Sequence, residues 1–138
     1  MTGPVAVVTG GGSGIGRATA HALARDGYHV VVADRDGDGA KRTAEAVGGE
    51  AAVLDVTDVD AVRALAAALG PVGALVNSAG VWTYAPLESM PVADARRVLE
   101  VNVLGPWLLA QAVAEHMPAG GAIVNLSSTS FTIVPAEV

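Results

Sequence analysis

The run Pro4-Val5-Ala6-Val7-Val8-Thr9, followed at once by Gly10-Gly11-Gly12-Ser13-Gly14-Ile15-Gly16, constrains the fold more than any other stretch of this chain. A short β-branched run without polar alternation predicts a strand buried on both faces, the habit of parallel sheets. The glycines allow a sharp turn and a close approach of backbone to a ligand. Behind them, Ile15, Ala18, Ala22 and Leu23 fall at helical spacing, and Gly27 stands where a helix ends. The N-terminus of such a helix offers free N–H groups and a partial positive charge, which suits pyrophosphate. The strict G-x-G-x-x-G register fails, because counting from Gly10 places Ile15 sixth. A Walker A register fails too, since Arg17-Ala18 stand where Lys and Ser/Thr are required. Gly10, Gly14 and Gly16 fit G-x-x-x-G-x-G; the other reading is a glycine-rich turn with no ligand.

Strand and helix signals go on alternating. Residues 29–34 read as a second buried strand, 36–47 as a helix closed by Gly48-Gly49, and 50–54 as a third strand. Thr57-Asp58-Val59-Asp60 has the form of a capping box and opens a helix that Gly70-Pro71 stops. Residues 73–77 form the fourth strand, and a loop runs through Pro86. A long helix is expected over 89–117, with Ser89 as N-cap and a kink at Pro106. Gly120-Gly121 then turns the chain into a fifth strand, 122–126. Such alternation predicts an α/β fold, a parallel sheet with helices on both faces and right-handed crossovers. All five strands then end on one rim, where ligands of open α/β sheets bind at the reversal of strand order.

Composition narrows the possibilities. At 138 residues, one domain is expected. With no cysteine, a disulfide framework, a Cys-ligated zinc site and a thiol nucleophile are excluded. Eight Lys+Arg against fourteen Asp+Glu give a net charge of −6, which argues against a nucleic-acid partner. A mean hydropathy of +0.46 argues against disorder. No basic segment precedes the first apolar run, and the longest apolar stretch, 64–76, is broken by Gly70, Pro71 and Gly73. Neither a signal peptide nor a membrane span is expected, so a cytoplasmic location is.

The residues just after each strand carry the chemistry. Asp34 ends strand two, about 20 residues after the glycine turn, where an acid accepts the hydroxyls of an adenosine ribose and repels a 2′-phosphate. That favours NAD over NADP, although Arg35 beside it is a cation able to hold such a phosphate; Ser13 adds no second one. Asp34 also reads as a helix cap or a solvated turn residue. After strand three, Asp55 either accepts an adenine amino group, with Val56 against the ring, or helps to cap the next helix. After strand four come Asn77, Ser78, Ala79 and Gly80, small residues past which a ribose or nicotinamide fits, or an ordinary turn; Asn77 is placed to pin the neighbouring strand's backbone. Val81 and Trp82 follow, either lining a substrate pocket or packing within a surface loop. Ser127 and Ser128 end strand five, where hydroxyls can hold a substrate carbonyl. His21, His29 and His116 fall away from this rim, so a serine-hydrolase triad is not expected.

In this order the landmarks resemble the short-chain dehydrogenase/reductase family. Thr9 to Gly16 matches its TGxxxGxG, Asp34 its ribose acid, Asp55-Val56 its adenine pair, and Asn77-Ser78-Ala79-Gly80 its NNAG with Ser in second place. Asn102, within Val101-Asn102-Val103-Leu104-Gly105, matches its catalytic asparagine, and Ser128 its serine. The resemblance implies a Rossmann-like doubly wound sheet and an NAD(H)-dependent oxidoreductase interconverting a secondary alcohol and a ketone. Ser128 would orient the reacting group, and Asn102 would hold a water that feeds a proton relay. An asparagine in an apolar helix needs a polar partner in any case, and backbone or ordered water alone would satisfy it. The family's Tyr-x-x-x-Lys lies beyond the serine, past Val138; the tyrosines here are Tyr28 and Tyr84 and the one lysine is Lys41. The expectation is therefore an incomplete domain over residues 1–138, truncated after a fifth strand left as an exposed apolar edge, from a parent that forms a dimer or tetramer. Two alternatives remain: a nucleotide-binding chain without turnover, and a different Rossmann-like protein such as a methyltransferase.

Overall fold

The computed structural model describes residues 3–128. Five strands form one parallel sheet: β1 (Val5–Thr9), β2 (His29–Asp34), β3 (Glu50–Val53), β4 (Val72–Asn77) and β5 (Ala122–Asn125). Their spatial order is β3-β2-β1-β4-β5, so the chain moves outward from β1 through β3 and then returns to β4 on the other side. Helices α1 (Gly14–Arg25), α2 (Gly37–Val47) and α3 (Val59–Ala68) fill the first crossovers. A longer helical segment, α4 (Val92–Leu99) and α5 (Gly105–Ala114), precedes β5.

Strand pleating divides the core in two. Val7 is level with Val31 and Leu75, and these three face Val62 and Ala66 of α3 and Leu109 and Val113 of α5. One residue on, Val8 is level with Val32 and Val76, and these face Ala20 of α1 and Ala40 and Ala44 of α2. Consecutive valines thus supply both faces, which is why β1 and β2 read as unbroken apolar runs. The central strands are buried, whereas β3 and β5, at the edges, are largely exposed. The exposed fifth strand matches the expectation.

Three local expectations need correction. The apolar spacing of α1 marks its inward face only in part: Leu23 packs on the core beside buried Ala20, but Ile15 is 66% exposed and Ala18 is exposed, while Gly16 is buried. The helix presses on the turn through a glycine, which apolar periodicity does not count. The capping box is shifted, because Asp58 rather than Thr57 is the cap and accepts from the N–H groups of Asp60 and Ala61 at 3.1 and 3.0 Å. Ser89 is not an N-cap; it closes a 3-10 turn, Leu87–Ser89, and the helix begins at Val92. Pro91 keeps Met90 extended, so the helix cannot start earlier. Its other end is Ala114 rather than Met117. At Pro106 the expected disturbance takes the form of a wider π-helical segment, Glu100–Leu104, between α4 and α5. Proline cannot donate to the carbonyl of Asn102 four residues back, and its ring crowds that carbonyl; the wider turn makes room.

The Asp58 assignment is testable. Asp58→Ala should lower stability by about 1 kcal/mol in urea unfolding, while Thr57→Ala should leave the α3 cap in place.

Candidate functional site

The carboxyl ends of the strands enclose a cleft of about 920 Å³. Every rim residue singled out by sequence lines it. Gly10, Ser13, Gly14, Ile15 and Gly16 come from the β1–α1 turn, Asp34 and Arg35 from the end of β2, and Asp55 and Val56 from beyond β3. Asn77, Ser78, Ala79 and Gly80 come from the end of β4, Asn102 from the π-helical segment, and Ser128 from beyond β5.

The glycine turn has a separate reason at each position. Gly10 has φ +64°, and a Cβ there would lie 2.8 Å from the Ala79 backbone. Gly16 lies so close beneath the Gly10 carbonyl that no side chain fits. Gly14 has φ +50°, and its Cβ position opens on empty space. Ser13, at the N-cap of α1, makes no side-chain capping bond. The first N–H groups of α1 therefore face the cleft without the cap that Asp58 gives α3. An uncapped helix start in a glycine turn is a donor set for an anion.

Two carboxylates stand farther along the rim. Asp34 Oδ2 accepts from Gly12 N–H and Oδ1 from Asp36 N–H, each at 2.9 Å. The carboxylate is thus tied to the glycine turn, and each oxygen keeps a second lone pair for a hydroxyl. Asp55 Oδ1 accepts from Thr57 N–H at 2.9 Å and from Thr57 Oγ1 at 2.7 Å, so Asp55 braces its own turn rather than capping α3. These bonds, the backbone one foremost, hold the Asp55 carboxyl below its ordinary value of 3.8, helped by the charges of Arg35 and Arg97.

Hydrogen bonds between elements fix the remaining geometry. Thr9 Oγ1 accepts from the N–H groups of Ser78 and Ala79 at 3.2 Å each, stitching β1 to the β4 exit. Asn77 is 3% exposed and donates through Nδ2 to Asn125 Oδ1 at 2.8 Å. It reaches the neighbouring strand through that side chain, while its main-chain oxygen accepts from Leu126 N–H. Asn77 Oδ1 is buried with no partner among the described residues. Asn102 accepts from Val81 N–H at 2.8 Å and donates to Val81 O at 2.7 Å. Both ends of its amide are thus held by backbone, while its main-chain carbonyl lacks the usual helical donor four residues on, because Pro106 has no N–H. Neither tyrosine lines the cleft: Tyr28 packs beside the α1–α2 core and Tyr84 lies on the loop after β4. Lys41 is exposed on α2.

Sequence reasoning did not reach Asn125, Arg97 or Glu100, nor the tie that Thr9 makes. Asn125 announces itself only by its register opposite Asn77, and Arg97 and Glu100 line the cleft only because the long helix passes over it.

A parallel sheet reversing at β1/β4, with a glycine-led helix start in the crevice, defines a Rossmann-like α/β protein. Residues 4–135 match the short chain dehydrogenase family, and the chain belongs to that family. It is 39% identical over 144 residues to a D-threitol dehydrogenase from Mycolicibacterium smegmatis, covering 96% of this chain and 55% of that protein. It is 41% identical over 142 residues to a galactitol 2-dehydrogenase (L-tagatose-forming) from Cereibacter sphaeroides, covering 97% and 56%. Among solved structures, a mutant short-chain dehydrogenase/reductase from Serratia marcescens superposes with a TM-score of 0.89 at 36% identity, over 96% of this chain and 58% of that one. The chain thus spans a little over half the length of the curated relatives it matches. No helix among the described residues is long and apolar enough to cross a membrane.

Two measurements test this geometry. Thr9→Val leaves two N–H groups without their acceptor and should cost about 2 kcal/mol in urea unfolding. The Asp55 carboxyl, being lowered in the folded state, adds stability above the ordinary value of 3.8, lost as pH falls through the lower folded value. Carboxyl NMR titration should show Asp55 below that value, and Thr57→Ala should move it part of the way back, since the backbone donor remains.

Proposed function

We propose that the chain forms the cofactor-binding part of an NAD(H)-dependent oxidoreductase that interconverts a secondary alcohol and a ketone. The observation that carries this reading is the uncapped start of α1 in a glycine turn, with the Asp34 carboxylate bonded to the same turn. The residues fit a dinucleotide: N–H groups of Gly14, Ile15 and Gly16 hold the pyrophosphate, and Gly10 and Ser13 shape the turn. Asp34 accepts the adenosine ribose hydroxyls and turns away a 2′-phosphate, so NAD is preferred despite the neighbouring Arg35. Asp55 takes the adenine amino group, Val56 packs on the ring, and Asn77, Ser78, Ala79 and Gly80 flank the middle of the cofactor. When bound, the nicotinamide supplies or accepts the hydride.

The roles of the other residues follow. Ser128 orients the carbonyl or alcohol oxygen by hydrogen bonding. Asn102 holds a water of the proton relay, its main-chain carbonyl being left without a helical donor by Pro106. The likeness to a threitol and a galactitol dehydrogenase supports a small alcohol as substrate. The enzyme in this reading is cytoplasmic, includes chain that covers β5, and associates as a dimer or tetramer through the long helix, whose Leu99, Val103 and Trp107 are exposed. A second reading, nucleotide binding without turnover, is favoured by one observation: neither Tyr28, Tyr84 nor Lys41 lines the cleft.

Calorimetric titration with NAD⁺ and NADP⁺ tests the cofactor. NAD⁺ should bind more tightly, and Asp34→Ala should shift the ratio about tenfold or more toward NADP⁺. An unchanged ratio in a folded variant would show that Asp34 does not read the ribose. Alcohol-dependent NADH formation separates the first reading from the second.

A further inference from the structure

Trp82 combines exposure with a fixed backbone. Its side chain is 82% exposed, which rules out packing within the loop. Yet the residue before it is held at both main-chain polar groups by Asn102, at 2.8 and 2.7 Å. That two-point bond joins the loop after β4 to the long helix and sets where the indole starts. Trp82 lines the cleft together with Gly80, which has no side chain to block it, and with Ser128 across β4 and β5.

Charge is unevenly spread along the cleft. Its positively charged lining residues, Arg35 and Arg97, both act on Asp55 at the exit of β3. Arg35 follows β2, two strand steps or about 10 Å from β4, and Arg97 lies on the long helix. Glu100, two residues before Asn102, adds a negative charge to the lining. The face of an indole ring is itself electron-rich, so it attracts polarised C–H bonds and disfavours a carboxylate.

We infer that Trp82 is a specificity-determining residue whose indole face stacks on the carbon chain of a neutral polyol, in preference to a hydroxy acid. This inference rests on the oxidoreductase reading above and names the substrate class for that site. An extended polyol presents C–H bonds to the ring while its hydroxyls remain free for Ser128 and water.

The test uses Trp emission and calorimetry on the full chain, with and without saturating NAD⁺. The sequence holds two tryptophans, and Trp107 does not line the cleft, so Trp107→Phe leaves Trp82 as the only emitter. D-threitol and galactitol should change that emission, and gluconate should bind more weakly than either. By calorimetry, Trp82→Ala should weaken polyol binding about fivefold or more, and Trp82→Phe should keep most of the affinity. NAD⁺ should bind both variants as it binds the parent chain. Unmoved emission, polyol affinity within twofold in the alanine variant, equal affinity for gluconate, or no polyol binding would each overturn the assignment. A polyol response without any NAD⁺ binding would overturn the cofactor reading and leave the Trp82 assignment standing.

Discussion

β1 lies between β2 and β4, so the chain that leaves β1 in one direction must come back to its other side. This reversal is the constraint from which the cleft follows. The α1 crossover leaves toward β2, while the loop after β4 leads toward β5, and a crevice opens between the two departures. It stays narrow at its base because Thr9 Oγ1 accepts two N–H groups from the β4 exit. The same closeness denies Gly10 a side chain, for a Cβ would meet the Ala79 backbone. Strand order, one hydroxyl and one glycine therefore set the position of the α1 N-terminus against the rim of β4.

The long helix completes the other side. A Cβ on Gly105 would lie 2.7 Å from Val56 Cγ2, so the helix seats directly on the exit of β3. The π-helical segment just before Gly105 carries Asn102, whose amide grips Val81 beyond β4. One helix thus touches the rim at two distant exits. Asn77 adds a third link by donating to Asn125 across the β4–β5 pair. A change in the helix near Pro106 would therefore reach both Val56 and the loop that carries Trp82.

The alternation of strands and helices was legible because β-branched runs mark the central strands β1 and β2, and glycines mark many of the turns. The rim residues were legible for a related reason: parallel topology puts all strand exits on one edge, whatever the details between them. Boundaries governed by a neighbour's backbone were harder to read. Pro91 delays the long helix past Ser89, and Asp58 displaces Thr57 as a cap, each by a bond or restriction one residue away from the apparent signal. The inward face of α1 was legible only in part, because its closest contact is made by Gly16, which has no hydropathy to display. Partners distant in sequence were out of reach, since nothing local ties Asn102 to Val81 or Thr9 to Ser78.

The electrostatics of the cleft follow from the same backbone economy. A chain with net charge −6 is an improbable host for an anion if cations must hold it. Here the donors at the glycine turn are main-chain N–H groups oriented by α1, so no Lys or Arg is needed there. The charged lining residues stand instead at the exits of β2 and β3 and on the long helix. Asp34 can then present a carboxylate beside the turn, because the positive end of the helix is fixed and does not depend on a mobile cation that the carboxylate would capture. The geometry thus separates two roles: main-chain donors oriented by α1 at the turn, and charged side chains along the rest of the rim.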